Sequence, residues 1–357
     1  MISIETLLKK APYSLTSSEK AELYSTELTR LTRAHYNDCL DYKTILDSMQ
    51  FDLANDHPAE ALPFLPVRMF KDFDLKSIPD DAVHKTMTSS GTTGQSVSKI
   101  FLDKATASNQ TKVLARIMSD LIGPKRLPML VIDAKSTVKD RKSFSARGAG
   151  ILGFSMFGRD VTFALDDNME LDIPTVEAFC AKYAGQDTFL FGFTSIIYQH
   201  FIQALQNSKL NINLQAATLL HGGGWKKLED IAVDNECYKA QLLECAGIGK
   251  VHNYYGMVEQ TGSIFTECSA GHLHCSIFSD LIIRDKNMLA APVGETGLVQ
   301  LVSLLPQSYP GHSILTEDIG VIIGEDDCVC GRKGKHFRIL GRAKKAEVRG
   351  CSDTYGS

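Results

Sequence analysis

Apolar and polar residues change rhythm along the chain, and each rhythm predicts a different kind of element. Up to about residue 75 the spacing is helical. Thr16-Ser17-Ser18-Glu19 has the form of a capping box and opens a helix over about 18–33, where Leu23, Leu28 and Leu31 recur near the helical period. Pro63 and Pro66 interrupt this pattern, and Met69, Phe70 and Phe73 offer apolar anchors to the next layer. From about 85 to 262, apolar runs at 129–132, 188–191, 217–220 and 251–255 have strand length. Helical stretches at 104–122, 174–184, 194–207 and 226–236 lie between them. Strand alternating with helix predicts a layered, mainly parallel sheet, which binds ligands outside the carboxyl ends of its strands. From about 263 the runs shorten to 281–283, 298–304 and 321–323, separated by Gly, Pro and Asp or Asn turns, which predicts a β-rich segment. The expected fold is α/β: a helical N-terminal segment over 1–75, an α/β core over 76–262, a β-rich segment over 263–340, and a tail over 341–357.

Composition narrows the function classes. The balance of 44% hydrophobic and 22% charged residues is that of an ordinary globular protein. A net charge of -4 argues against broad electrostatic binding of nucleic acid. The N-terminus has no basic region followed by an apolar core, and the most apolar stretch, 189–198, is too short to span a bilayer. A cytoplasmic protein with no membrane span is expected. Nine cysteines, an odd count without a secretion signal, disfavour a disulfide framework and leave metal ligands, a nucleophile or buried thiols.

Three groups of residues carry candidate chemistry. Thr88-Ser89-Ser90-Gly91-Thr92-Thr93-Gly94 is a run of small residues rich in hydroxyls. Its glycines let backbone N–H groups turn inward around an anion, although a plain surface turn has the same composition. Gln95 follows where a Walker A loop has Lys. Cys268, His274, Cys328 and Cys330 supply soft thiolate and imidazole ligands from two turn-rich segments, a candidate structural Zn²⁺ site or a set of buried or free thiols. Phe189, Phe191, Phe193, Ile196 and Ile197 form an apolar cluster that reads as core by default and as an acyl-tunnel wall otherwise.

Four stretches in order resemble the adenylate-forming ligases: the Thr88–Gly94 loop, Gly222-Gly223-Gly224 after a strand, Tyr255-Gly256-Met257-Val258-Glu259, and Thr316-Glu317-Asp318 with Gly341-Arg342. His221-Gly222-Gly223-Gly224-Trp225-Lys226 and Arg349-Gly350-Cys351-Ser352-Asp353 further resemble the LuxE-type acyl-protein synthetases. The resemblance implies that ATP and a carboxylic acid, such as a fatty acid, form an acyl adenylate. The loop at Thr88, Ser89, Ser90, Gly91, Thr92, Thr93 and Gly94 would then hold the β- and γ-phosphates. Gly222, Gly223 and Gly224 would pass the adenine, with Tyr254, Tyr255 and Gly256 beside it. Glu259 would face Mg²⁺, Asp318 the ribose hydroxyls, and Arg342 the ribose or a phosphate. His221 would line the acyl pocket or be a buried structural histidine.

Cys351 would take the acyl group as a thioester for a partner acyl reductase or acyl carrier. The family pattern is altered in places. Val258 stands where Thr is usual, which passes a hydroxyl contact to Thr261 or removes it, and Leu315 and Glu317 stand where Arg and Gly usually flank Asp318. The chain is also expected to lack the usual complete mobile C-terminal domain. An acyl- or aryl-CoA ligase and a catalytically silent binding subunit are the alternatives.

Overall fold

A computed structural model describes residues 3–89, 96–138, 146–208, 210 and 212–343. The chain forms two compact units, one from Met1–Asp120 with Gly256–Glu347 and one from Leu121–Tyr255 with Val348–Ser357. These units cut across the segments drawn from sequence: the N-terminal helices and the β-rich segment belong together in unit 1. The fold is α/β, with a parallel sheet in one unit and an antiparallel sheet in the other.

Unit 2 holds five parallel strands in the spatial order Lys250–Tyr255, Ala217–Gly222, Thr188–Phe193, Leu127–Ala134, Gly158–Leu165. Four of them extend the apolar runs read from sequence. Strand Thr188–Phe193 is buried throughout, as a parallel strand covered on both faces must be. Phe189, Phe191, Phe193, Ile196 and Ile197 are all buried; Ile197 joins Leu130, Leu190, Phe201 and Leu219 in one core. The helix expected over 194–207 contains a π turn at Tyr198–Ile202. The helix expected over 226–236 starts later. Lys226–Ile231 is a 3-10 segment, and Asp234 caps Asn235–Ala246 by accepting from the Cys237 N–H at 2.8 Å.

Next to the core, Asp133 and Arg147 form a fully buried pair, with Arg147 Nε on Asp133 Oδ2 at 2.7 Å and Nη2 on Oδ1 at 2.5 Å. The same carboxylate accepts from the Thr137 hydroxyl at 2.7 Å. Helix Ala146–Ser155 is thereby tied to the carboxyl end of strand Leu127–Ala134.

Unit 1 is an antiparallel sheet in the order Ser279–Arg284, Thr296–Ser303, Ser313–Glu325, Lys335–Arg342, Leu273–His274, Phe265–Glu267. Helix Ser17–Asp38 opens with the expected capping box, Thr16 N–H donating to Glu19 Oε2 at 2.8 Å and Glu19 N–H to Thr16 Oγ1 at 3.3 Å. Its buried stripe runs through Tyr24, Leu28, Leu31 and His35, with Leu23 half-buried. Lys20 is buried and donates to the Ser279 carbonyl at 3.0 Å beside Asp280 at 3.3 Å. Phe70 is buried as expected, whereas Phe73, read as an anchor, is exposed at the end of a four-residue helix.

His35 and His312 stack at 5.0 Å inside this unit. The Pro306 carbonyl can only accept, so His35 Nε2 donates to it at 3.1 Å and the Ser77 hydroxyl donates to Nδ1 at 2.7 Å. Burial lowers His35 to about 4 and drives His312 well below the usual imidazole value.

Two outcomes follow. Asp133→Ala strands a buried guanidinium and should cost about 3–5 kcal/mol in denaturant unfolding, and Asp133→Leu with Arg147→Met should recover most of it; equal loss in both variants would contradict the pairing. Because the folded His35 pKa lies below the unfolded value of about 6.5, the unfolded chain binds the extra proton between the two. Stability is therefore complete above about pH 6.5 and falls on acidification, by about 3 kcal/mol for His35 alone once its folded pKa is reached. Urea midpoints measured across that window should fall less steeply in His35→Gln than in the natural sequence.

Candidate functional site

In unit 2 the sequence-predicted residues gather where a parallel sheet binds ligands, at the carboxyl ends of its strands. His221 and Gly222 end one strand in register with Asn253 and Tyr254 of the next, and Tyr255 closes the latter. A Cβ on Gly222 would collide with the ring of Tyr254, so a side chain is excluded at that point. Gly223 has φ +78° and turns the chain away from the strand. The ring of Tyr254 lies 5.0 Å from Phe154, which stacks on Phe191 at 4.4 Å. His221 is buried, and its Nδ1 lies 2.9 Å from the Thr194 hydroxyl. That hydroxyl donates to the Gly222 carbonyl at 3.2 Å, which puts the His221 proton on Nδ1. The imidazole is thus oriented by its neighbours and packs on Tyr238 at 4.8 Å.

In unit 1, Glu259 lies buried in the 3-10 turn Val258–Gln260. The Tyr309 hydroxyl donates to its carbonyl at 2.8 Å, and Gln260 Nε2 donates to the Gly311 carbonyl at 2.8 Å. These bonds, one to the Glu259 carbonyl and one from the Gln260 side chain, hold the turn in place. Thr261 donates its hydroxyl proton to the Val258 carbonyl at 2.8 Å, so in this conformation it offers no donor in place of the usual Thr.

The two halves of the fourth motif meet. Asp318 and Arg342 are register partners on adjacent strands, with Arg342 Nε 3.5 Å from Asp318 Oδ1 and Nη2 4.0 Å from Glu317 Oε2. The Arg342 side chain is 37% exposed.

Thr88 ends the strand Lys85–Thr88 opposite Lys99, and Ser89 N–H donates to the Ser98 carbonyl at 3.1 Å while Ser98 N–H donates to Ser89 Oγ at 2.9 Å. These bonds fix the base of the hydroxyl-rich loop. Ser90, Gly91, Thr92, Thr93 and Gly94 lie outside the described residues, as does Cys351.

Cys268, His274, Cys328 and Cys330 also come together in unit 1, every ligand atom within 4.8 Å of the others. Burial, then the charge of Arg332, lowers His274 to about 3 and keeps the ring in the neutral form that binds metals. Sequence reasoning missed two features: the Asp133–Arg147 pair and a second ligand group of His272, Cys328 and His336. An acidic residue ending the otherwise apolar 129–132 run was the available signal for the first. The second had only the crowding of histidines around Cys268 and Cys328.

Among the described residues no helix is long and apolar enough to cross a membrane. The chain matches the family described as "Acyl-protein synthetase, LuxE" over residues 2–356. A long-chain-fatty-acid–luciferin-component ligase of Vibrio harveyi is 20% identical over 352 residues, covering 96% of this chain and 89% of that protein. A 2-hydroxyisobutyryl-CoA ligase in an open conformation, in complex with 2-HIB-AMP and CoA, is similar with a TM-score of 0.69 at 17% identity, covering 94% of this chain and 77% of that one. The same ligase in its postadenylation state gives 0.69 at 18% identity, covering 92% and 69%. These structures share the fold; the family rests on the match along nearly the whole sequence. The chain belongs to the LuxE acyl-protein synthetase family and is an ATP-dependent ligase.

Proposed function

We propose that the protein activates a fatty acid as its acyl adenylate and transfers the acyl group to the thiol of Cys351. A carboxylate oxygen attacks the α-phosphorus of ATP, the bond to the bridging oxygen breaks, and pyrophosphate leaves. The Cys351 thiolate then attacks the acyl carbonyl, the carbon–oxygen bond to phosphate breaks, and AMP leaves. A partner reductase, using its own hydride donor, would deliver a hydride to the thioester carbonyl, and the carbon–sulfur bond would break to give the aldehyde and the protonated Cys351 thiol. The luciferin-component ligase of Vibrio harveyi is a relative whose name carries the same substrate class. ATP as co-substrate fits a cytoplasmic setting.

The observation that supports this reading most is the register of Asp318 with Arg342. It joins, on adjacent inner strands, a half-buried carboxylate that can accept from two ribose hydroxyls and a more exposed guanidinium suited to phosphate. An exposed ion pair contributes only about 0–1 kcal/mol, so stability alone gives it little reason to be there. Gly222, Gly223 and Gly224 would run past the adenine, with Tyr254, Tyr255 and Gly256 beside it. Thr88, Ser89 and the loop that follows would hold the outer phosphates. His221 would line the acyl pocket in the orientation that Thr194 imposes. Glu259 offers a buried carboxylate, a hard ligand suited to Mg²⁺, and the ion when bound would offset phosphate charge.

The decisive experiment is intact-protein mass spectrometry after incubation with ATP, Mg²⁺ and a panel of carboxylic acids. One acyl group is expected on the chain, removed by hydroxylamine. In Cys351→Ser the adduct should disappear while acid-dependent ATP–pyrophosphate exchange continues; a hydroxylamine-labile adduct that survives would move the acceptor elsewhere. An acyl-CoA product on addition of CoA, with no adduct, would make the protein a CoA ligase. No exchange with any acid would make it a silent binding subunit. Asp318→Ala should lower kcat/KM for ATP roughly ten- to hundredfold, the loss of a charged hydrogen bond of about 1.5–3 kcal/mol. Its melting temperature should stay near that of the natural sequence; a large drop there would assign the pair to stability instead.

A further inference from the structure

We propose that Cys268, His274, Cys328 and Cys330 bind one Zn²⁺, with His272 hydrogen-bonded to the Cys328 thiolate from outside the ligand set. The site takes no part in acyl transfer and stands apart from the reading above.

Two turns of the same design build it. Cys268-Ser269-Ala270-Gly271 and Cys328-Val329-Cys330-Gly331 each close with the glycine N–H donating to the first cysteine carbonyl, at 3.0 and 2.9 Å. Each glycine sits in the left-handed region, at φ +78° and +82°. The chain reverses within four residues in both. His274 joins them from the strand Leu273–His274, which pairs with both Phe265–Glu267 and Lys335–Arg342.

Two of the six separations have the lengths that a tetrahedral ion would impose. With Zn–S about 2.3 Å and Zn–N about 2.0–2.1 Å, the edges of the tetrahedron are about 3.8 Å between sulfurs and about 3.5 Å from sulfur to nitrogen. Cys268 Sγ lies 3.9 Å from Cys328 Sγ, and Cys330 Sγ lies 3.4 Å from His274 Nε2. The sulfur separation is about twice a disulfide bond, and the four groups are free thiols and an imidazole.

The second group, His272, Cys328 and His336, shares Cys328 but suits the ion less. It supplies three ligands against four, and His336 Nε2 is engaged by Asp327 Oδ1 at 2.8 Å. His272 Nδ1 stands 3.7 Å from Cys328 Sγ, the place of a donor to a bound thiolate. Loading releases three thiol protons to solvent and changes no oxidation state. Three thiolates, a neutral imidazole and Zn²⁺ leave a net charge of about -1. Arg332, two residues past Cys330, is a nearby cation: it pairs with Asp120 at 3.0 Å, donates to the Thr266 carbonyl at 3.3 Å and lies 4.1 Å over Tyr13.

The ion would fix the turn between strands Ser313–Glu325 and Lys335–Arg342. It would also steady the start of helix Ser17–Asp38, because Asp326 in that turn accepts from Ser17 N–H at 2.9 Å and Gly334 N–H at 2.7 Å.

The test is elemental analysis of untagged full-length protein, purified without chelator, together with Co²⁺ substitution. One zinc per chain is expected, and the cobalt form should show a thiolate charge-transfer band and tetrahedral d–d bands. Cys268→Ser and Cys330→Ser should lose the metal, while Cys180→Ser and Cys245→Ser should keep it. His272→Ala should retain one zinc but bind it about 10–100-fold more weakly against a competing chelator. Absence of zinc together with absence of the cobalt bands in the natural sequence would overturn the proposal, and that result stands even if a cysteine variant fails to fold. Retention of zinc in Cys330→Ser with its loss in His336→Ala would overturn it as well, by moving the ion to the other group.

Discussion

Pairing of Asp318 with Arg342, Ile319 with Gly341 and Val321 with Arg338 sets the register of one antiparallel hairpin, and most of the chemistry in unit 1 depends on it. A slip of one residue would turn every side chain of the strand to the other face. Asp318 would then face away from Arg342, and the motif halves would no longer meet. The same register decides where the far end of the hairpin falls. It brings the turn with Cys328 and Cys330 beside Cys268 and His274. The pairing shifts between Ile319 and Gly320 and again between Ile322 and Gly324, so the strand bends twice between these two ends. One segment thus carries the Asp318–Arg342 pair at one end and a cluster of thiols and imidazole at the other.

Unit 2 works under a different constraint. Its strands are parallel, so their carboxyl ends all open on one side, and the strand order sets which loops become neighbours. The chain leaves Leu127–Ala134 to Gly158–Leu165 on one flank and returns to Thr188–Phe193 on the other. Asp133, His221, Gly222, Tyr254 and Tyr255 all lie at that carboxyl side. The buried Asp133–Arg147 bond holds a helix at the same side.

How much of this was legible follows from what each signal needs. Runs such as 188–191 and 217–220 announce buried strands because a parallel strand covered on both faces is apolar throughout. Strand Gly158–Leu165 went unread for the opposite reason: it is the edge of the sheet, and Arg159, Asp160 and Val161 along it are exposed. Glycines near Tyr254 and hydroxyls around position 90 are local signals and survive in a linear reading. The partner of Asp133 is not local. Nothing in the sequence near Arg147 separates a guanidinium that will be buried from one that will be solvated. The same holds for His272 and His336, whose stacking at 4.8 Å depends on the pairing of two distant strands.

The two Asp–Arg pairs show why burial, more than residue type, decides what an ion pair can do. Asp133 and Arg147 are withdrawn from water, and neither can exchange its partner without exposing an uncompensated charge to a low-dielectric core. That pair can only hold structure. Asp318 and Arg342 are partly exposed at 3.5 Å, and water can replace either partner at a cost of about 1 kcal/mol or less. In the proposed reaction Arg342 would turn toward a phosphate and Asp318 toward a pair of hydroxyls, each exchanging a weak mutual contact for the ligand. A charged pair that contributes little to stability is what a site needs if it must open to a charged ligand and close again in every turnover.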